Sequence, residues 1–266
     1  MKHGTKIEWA IAVAEARGMR ADVWGPVEGC SPVGEGCRFC WAAKEVWIRS
    51  HNSKMKRFHG LVDKTADGRA VFNGKINFVA DDLEKPLRRR RPTVWFSPPR
   101  SDLFHVDLLI GHQLEILEVM RARPDHLFLV LTKRPLNAFV DLERFPGWPL
   151  PNVWLGVSVW DQASADRMIP KLLETEAALR WVSYEPALGP VDLRPYLAGL
   201  DWIVFGDESG SDRDVYQDDW GRSVRDQAGA AGVPVFNKQR HDERGRKVSL
   251  PALDGEILAE VPLCGT

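Results

Sequence analysis

The chain has 266 residues and a mass of about 30 kDa, with 36 Lys and Arg against 37 Asp and Glu. That balance excludes a histone-like polycation but leaves room for a local basic patch. Hydrophobic residues at 44% and charged residues at 27% are ordinary for a globular protein and exclude disorder as the main state. No apolar run approaches the ~20 residues a membrane span needs. The start, MKHGTKIEWA, has no signal-peptide core, so a cytoplasmic protein without a membrane partner is expected. Eleven Trp can fill a core or stack on flat ligands such as bases.

In chain order, the first informative segment is GCSPVGEGCRFCWA at 29–42. It holds Cys30, Cys37 and Cys40 in the spacing C-x6-C-x2-C; the fourth cysteine, Cys264, lies two residues from the C-terminus. A reducing compartment has little use for disulfides, so clustered thiols point to metal or redox chemistry. Gly29, Pro32, Gly34 and Gly36 make the segment a loop, able to aim several thiolates inwards. Three readings stay open on the residues alone. The cysteines are unrelated; or they hold structural zinc, with His51 or His59 completing the usual four ligands; or they hold an iron–sulfur cluster. Cubane clusters normally take four thiolates, so three would leave one iron open to a substrate or cofactor. Cys264 is expected to be dispensable, because a terminal position is rarely held rigid.

Residues 42–75 are richer in charge and Gly and are expected to form an irregular excursion. The stretch KPLRRRR at 85–91 packs five cations into seven positions. Arg88, Arg89, Arg90 and Arg91 are candidates for phosphate contacts, or form a solvated helix end. Lys133 and Arg134, with Lys54, Lys56 and Arg57, would extend the patch, and Trp41, Trp47 or Trp95 could stack on a base.

Short runs rich in Val, Ile, Phe and Trp recur at 75–79, 93–97, 127–132, 153–159, 179–184, 202–207 and 233–237. Helical spacing occupies 107–122, where Leu109, Leu114, Leu117 and Met120 suggest one buried face, and also 162–174 and 218–231. Strands alternating with helices imply parallel βαβ units. Continuous apolar strands fit a sheet covered on both faces. The expected fold is α/β, a single domain over 1–266 built on a partial or full parallel (β/α) barrel. Barrel chemistry sits at the C-terminal strand ends. There the sequence places Ser101 and Asp102, Lys133 and Arg134, Ser158, Glu185, Asp207 and Glu208, and Lys238.

The cysteine spacing, with Phe39 before Cys40, resembles the cluster loop of radical S-adenosylmethionine enzymes, although most of these have three residues between the first two cysteines. A smaller, largely phage and prophage family is similar to this chain in the six-residue gap. Its further motifs are matched here by IEW at 7–9, SDLFH at 101–105, LTKRP at 131–135, NVWLGVS at 152–158, SYEPALGPV at 183–191, GDESG at 206–210 and FNKQ at 236–239. Trp41 stands where that family has Tyr, and Asp207 where it has a second Gly.

The resemblance implies a barrel of the radical S-adenosylmethionine type. Cys30, Cys37 and Cys40 would hold a [4Fe-4S] cluster. S-adenosylmethionine would lie among Phe39, Trp41, Ser101, Asp102, Ser158, Asp207 and Glu208, with Glu185 and Lys238 as catalytic candidates. It further implies a reductant protein such as flavodoxin or ferredoxin, and phage DNA as substrate. The implied reaction is an isomerisation that shifts an amino-acid substituent on a hypermodified thymine. The residues alone leave open a zinc-stabilised nucleic-acid-binding module, or a radical enzyme with a small-molecule substrate.

Overall fold

A computed structural model describes residues 2–208, 216–242 and 244–262. Its centre is a seven-stranded sheet of β1 (Arg20–Val23), β2 (Thr93–Ser97), β3 (Leu127–Thr132), β4 (Val153–Val159), β5 (Leu179–Tyr184), β6 (Trp202–Phe205) and β7 (Val235–Asn237). The spatial order follows the chain order, and every pairing is parallel. The sheet curls into a half-barrel with β1 and β7 at its edges. The expected partial barrel is therefore present.

One strand differs from expectation. The run at 75–79 stays outside the sheet, where Asn77–Phe78 pairs antiparallel with Val27–Glu28. The seventh strand is β1, RADV, which gives no apolar signal. As an edge strand it needs little apolar surface, and its buried carboxylate Asp22 is held by Arg89 at 2.8 Å.

Among the described residues seven α-helices accompany the strands: α1 (Glu8–Ala16), α2 (Trp41–Ser50), α3 (Glu84–Arg88), α4 (Ile110–Ala122), α5 (Pro135–Leu142), α6 (Gln162–Glu174) and α7 (Asp218–Ala231). Helix α6 starts where the Asp161 side chain accepts from Ser164 N–H and Ser164 Oγ accepts from Asp161 N–H, a reciprocal cap. Asp161 thus serves as the cap of this helix. In α4 the buried face is Ile116, Leu117, Val119 and Met120, while Leu109 precedes the helix and is exposed.

Strand side chains alternate between two cores. One set, including Trp95, Phe128, Val130, Leu155 and Val157, packs with α4, α6 and α7. The other set, including Val94, Phe96, Leu127, Leu129, Trp154, Trp181, Trp202 and Phe236, packs inside the curl with Trp9, Ala10, Val13 and Ala14 of α1. Four indoles, Trp9, Trp154, Trp181 and Trp202, touch there at centroid distances of 5.0–6.3 Å. Position 156 must be Gly, because a Cβ there would overlap the Trp181 ring. Much of the tryptophan is therefore core. Trp95 is fully buried, which removes it as a base-stacking surface.

The excursion after the cysteine loop is α2 and a hairpin of Val62–Lys64 with Ala70–Phe72. It has its own small core of Ala42, Ala43, Val46, Phe58, Leu61, Val62 and Phe72, against which Cys30 and Cys40 pack.

Candidate active site

The cysteine loop follows the short ladder at Val27–Glu28 and crosses the C-terminal ends of the central strands. Cys37 closes a 3-10 turn, Glu35–Cys37, and Cys40 caps the start of α2. Trp160, just beyond β4, forms the seat of the loop. A Cβ at Gly34 or Gly36 would stand 2.6 or 2.5 Å from its ring, so only Gly lets the loop lie this close.

The three thiols line one cavity of about 130 Å³ together with Trp41, Ser101, Asp102, Lys133, Arg134 and Ser158. A second cavity of about 410 Å³ adjoins it. Cys40, Trp41, Phe96, Leu131, Lys133 and Ser158 line both. The larger one continues past Phe39 to Ser183, Glu185, Glu208 and Lys238. The strand period explains this set. Phe96 on β2, Leu131 on β3, Ser158 on β4 and Ser183 on β5 continue the inward-facing alternation, and Lys133, Glu185, Glu208 and Lys238 keep that phase past the strand ends.

Asp207 is out of phase. It is buried, lines neither cavity, accepts from Glu208 N–H at 2.7 Å and lies 2.7 Å from His241 Nδ1. It braces the end of β6 and does not reach the cofactor space expected for it.

Asp102 is also committed internally. One oxygen accepts from Thr132 Oγ1 (2.7 Å) and Phe104 N–H (3.0 Å), the other from Lys133 N–H and Arg134 Nη1 (both 3.0 Å). Four donors fill the lone-pair positions of a carboxylate, so Asp102 fixes the β3 end and is not left to bind an ammonium. Arg134, expected to meet phosphate, is turned inwards. Besides Asp102 it donates to Ser31 O at 2.7 Å, Ser31 Oγ at 2.9 Å and Cys30 Sγ at 3.6 Å. His105 Nδ1 accepts from Asp107 N–H, which leaves its Nε2–H to donate to Ser31 Oγ at 2.8 Å. Ser101 Oγ donates to Gly29 O at the base of the loop.

Burial pushes the Cys30 thiol up to about 12, with Asp102 adding to the shift and Arg134 opposing it. Burial likewise raises Cys40, opposed by the backbone N–H groups of Ala42 and Ala43 at the start of α2. As free thiols these groups are held protonated and are poor nucleophiles; a metal centre would take them as thiolates. No three His, Cys, Asp or Glu side chains among the described residues are drawn together to hold one metal ion. A cubane cluster asks for something different, since each thiolate binds its own iron. Thiols spaced around a cavity fit that donor set. His51 and His59 are exposed, with ring nitrogens at 2.7 Å from Trp47 O and 3.1 Å from Asn52 O, and neither lines the cavity. A four-ligand zinc site built with either histidine has no support here. Cys264 lies outside the described residues.

In the larger cavity, Lys238 Nζ lies 2.6 and 2.7 Å from the two Glu185 oxygens, and Gln239 Nε2 donates to Glu185 at 3.0 Å. The basic run is elsewhere. Arg88 to Arg91 precede β2, at the opposite end of the strand from the thiols, roughly 16 Å of strand away. Arg88 pairs with Glu84 and Arg89 with Asp22. Of the nine cations named for the nucleic-acid patch, Lys133 alone lines the cavities without being turned into the protein. Sequence reasoning passed over Ser31, His105, Trp160, Lys6 and Glu8; His105 closes the SDLFH motif and Trp160 follows NVWLGVS, so both lay within reach.

No curated protein matches the chain. Among solved structures it is similar to a spore photoproduct lyase double mutant with bound AdoMet and dinucleoside spore photoproduct, at 12% identity and a TM-score of 0.41. That match covers 78% of this chain and 60% of the other, so this chain spans less than two thirds of that protein. It is also similar to spore photoproduct lyase complexed with dinucleoside spore photoproduct, at 10% identity and a TM-score of 0.43, over 85% of this chain and 70% of that one. No helix among the described residues is long and apolar enough to cross a membrane. A family model described as "Protein of unknown function (DUF5131)" matches residues 4–262, and the chain belongs to that family.

Proposed function

We propose that the chain is a radical S-adenosylmethionine enzyme acting on a nucleic-acid base, and that it isomerises an amino-acid-modified thymine in phage DNA. The observation that carries the reading is the shared cavity wall. Three thiols of one loop line a cavity at the C-terminal ends of a parallel half-barrel, next to a larger one with inward-facing polar groups. Cys30, Cys37 and Cys40 would hold a [4Fe-4S] cluster. With S-adenosylmethionine bound, and one electron from a reductant protein such as flavodoxin or ferredoxin, it would supply a 5′-deoxyadenosyl radical.

The chain's own residues then position and shield. Ser158 faces both cavities and can hold a ligand hydroxyl across them. Glu208 offers a carboxylate on the same face. Trp41 and Phe39 offer flat walls for adenine or a base. Lys238, fixed by Glu185, holds a positioned proton on Nζ at the wall of the larger cavity. Apolar Phe96 and Leu131 keep water from the shared wall.

The test is anaerobic purification of the protein and of the Cys30→Ala/Cys37→Ala/Cys40→Ala variant, with iron, sulfide and zinc measured beside the absorbance spectrum. The expected result is a brown protein with about four irons per chain and a colourless variant. Full iron in the variant, or a colourless wild type with tightly held zinc, overturns the reading. Turnover on an oligonucleotide beside the free nucleoside then decides the substrate class; equal efficiency on both removes nucleic acid.

A further inference from the structure

The excursion at 42–75 carries eight Lys and Arg against three Asp and Glu, on a chain whose whole charge is −1. Pairing removes arginines and carboxylates together and leaves lysines as the excess charge of its surface. Arg49 takes Glu45 at 2.5 Å and Arg69 takes Asp67 at 2.6 Å. Arg57 is spent on Glu28 and Asp82, at 2.9 and 2.8 Å. Lys54, Lys56, Lys64 and Lys75 remain exposed, with no ion pair among the described residues and Asp63 as the one carboxylate of the excursion left over. Lys64 lies over the half-buried Trp47 ring at 5.0 Å.

The excursion is also joined to the site. Its core packs on Cys30 and Cys40, and Phe72 lines the thiol cavity. At the lip of the larger cavity, Phe39 lies between Arg38 and Arg69, at 5.0 and 5.2 Å. Cations interleaved with aromatic faces are what a single strand meets in its binding grooves. The Arg88–Arg91 run is at the far end of β2.

We propose that the 42–75 excursion is the nucleic-acid-binding surface, with Lys54, Lys56 and Lys64 meeting phosphates of an unpaired or distorted strand so that one base enters beside Trp41. This rests on the nucleic-acid reading for the identity of the partner, and not on the cluster.

The experiment is fluorescence anisotropy of a labelled single-stranded DNA oligonucleotide against purified full-length protein, over a series of salt concentrations. Each phosphate contact contributes about −0.7 to the slope of log affinity against log salt. The Lys54→Gln/Lys56→Gln/Lys64→Gln variant should flatten the slope by about 2 units and bind about 100-fold more weakly at 0.1 M salt. The Arg90→Gln/Arg91→Gln variant should match the wild type. All five side chains are exposed, and circular dichroism melts check that both variants fold. A wild type that binds no DNA overturns the nucleic-acid reading itself. DNA binding that survives the lysine changes, or falls with the arginine changes instead, overturns the surface alone. So does a lysine variant that binds DNA normally but is reduced more slowly by an acidic flavodoxin, which would make this the reductant's surface.

Discussion

Asp102 and Arg134 form the best-connected buried pair at the thiol loop, with side chains 6% and 9% exposed. Arg134 is also the group that ties the end of β3 to Cys30 and Ser31. Removing it leaves the carboxylate buried without its counter-charge, which costs about 3–5 kcal/mol for a buried pair. Arg134→Gln should therefore lower unfolding stability by that amount in urea titrations. Arg134→Lys should recover only part of it, because an ammonium cannot fork between Asp102 and Ser31. A loss under 1 kcal/mol in Arg134→Gln would show that the loop is held by other contacts. Both residues look like ligand groups in the sequence, since they follow apolar runs. What separates Arg134 and Asp207 from Glu185, Glu208 and Lys238 is phase. The latter continue the inward alternation of their strands, whereas Arg134 and Asp207 fall on the other parity. That signal was present in the sequence, but using it required knowing which parity faces the interior.

At the scale of elements, the cysteine loop depends on a neighbour that no motif connects to it. Gly34 and Gly36 lie flat on Trp160, so the loop's path is set by an indole more than a hundred residues later. Gly36→Ala puts a methyl into that ring, and the rigid, buried partner cannot swing aside. The loop must lift, and the thiols with it. Iron bound per chain after anaerobic reconstitution should fall by at least half, while the melting temperature of the metal-free protein changes little, the loop being peripheral to both sheet cores. Unchanged iron content would mean that the loop tolerates a shift without misplacing Cys37. Helices α6 and α7 could be read at their observed bounds because each is an amphipathic run with a local start: a reciprocal Asp161–Ser164 cap in one, acidic Asp218 and Asp219 in the other. Strand β1 could not, because an edge strand of four residues carries too little apolar pattern, and the more apolar 75–79 run took its place in the count.

The whole molecule is a sheet curled far enough to have an inside but not to close. In a closed barrel the interior is filled by layers of strand side chains. Here α1 lies within the curl and supplies the missing layer, with Trp9 touching Phe96 at 5.0 Å, Trp181 at 5.0 Å and Trp202 at 6.1 Å. The same helix start carries Ile7 and Glu8 into the wall of the larger cavity, so the filling of the core and the shape of the site share one element. Trp9→Ala removes a side chain that is 3% exposed from a cluster of four indoles, a change expected to cost about 3–5 kcal/mol. The side chain lines the larger cavity and not the thiol cavity. The variant should therefore unfold at markedly lower denaturant yet bind iron at the wild-type level when still folded. Any ligand of the larger cavity should bind it more weakly, because the wall at Ile7 and Glu8 loses its support. Wild-type stability in Trp9→Ala would mean that the curl is held by its strand pairs and outer helices alone, and that α1 only covers the inner face.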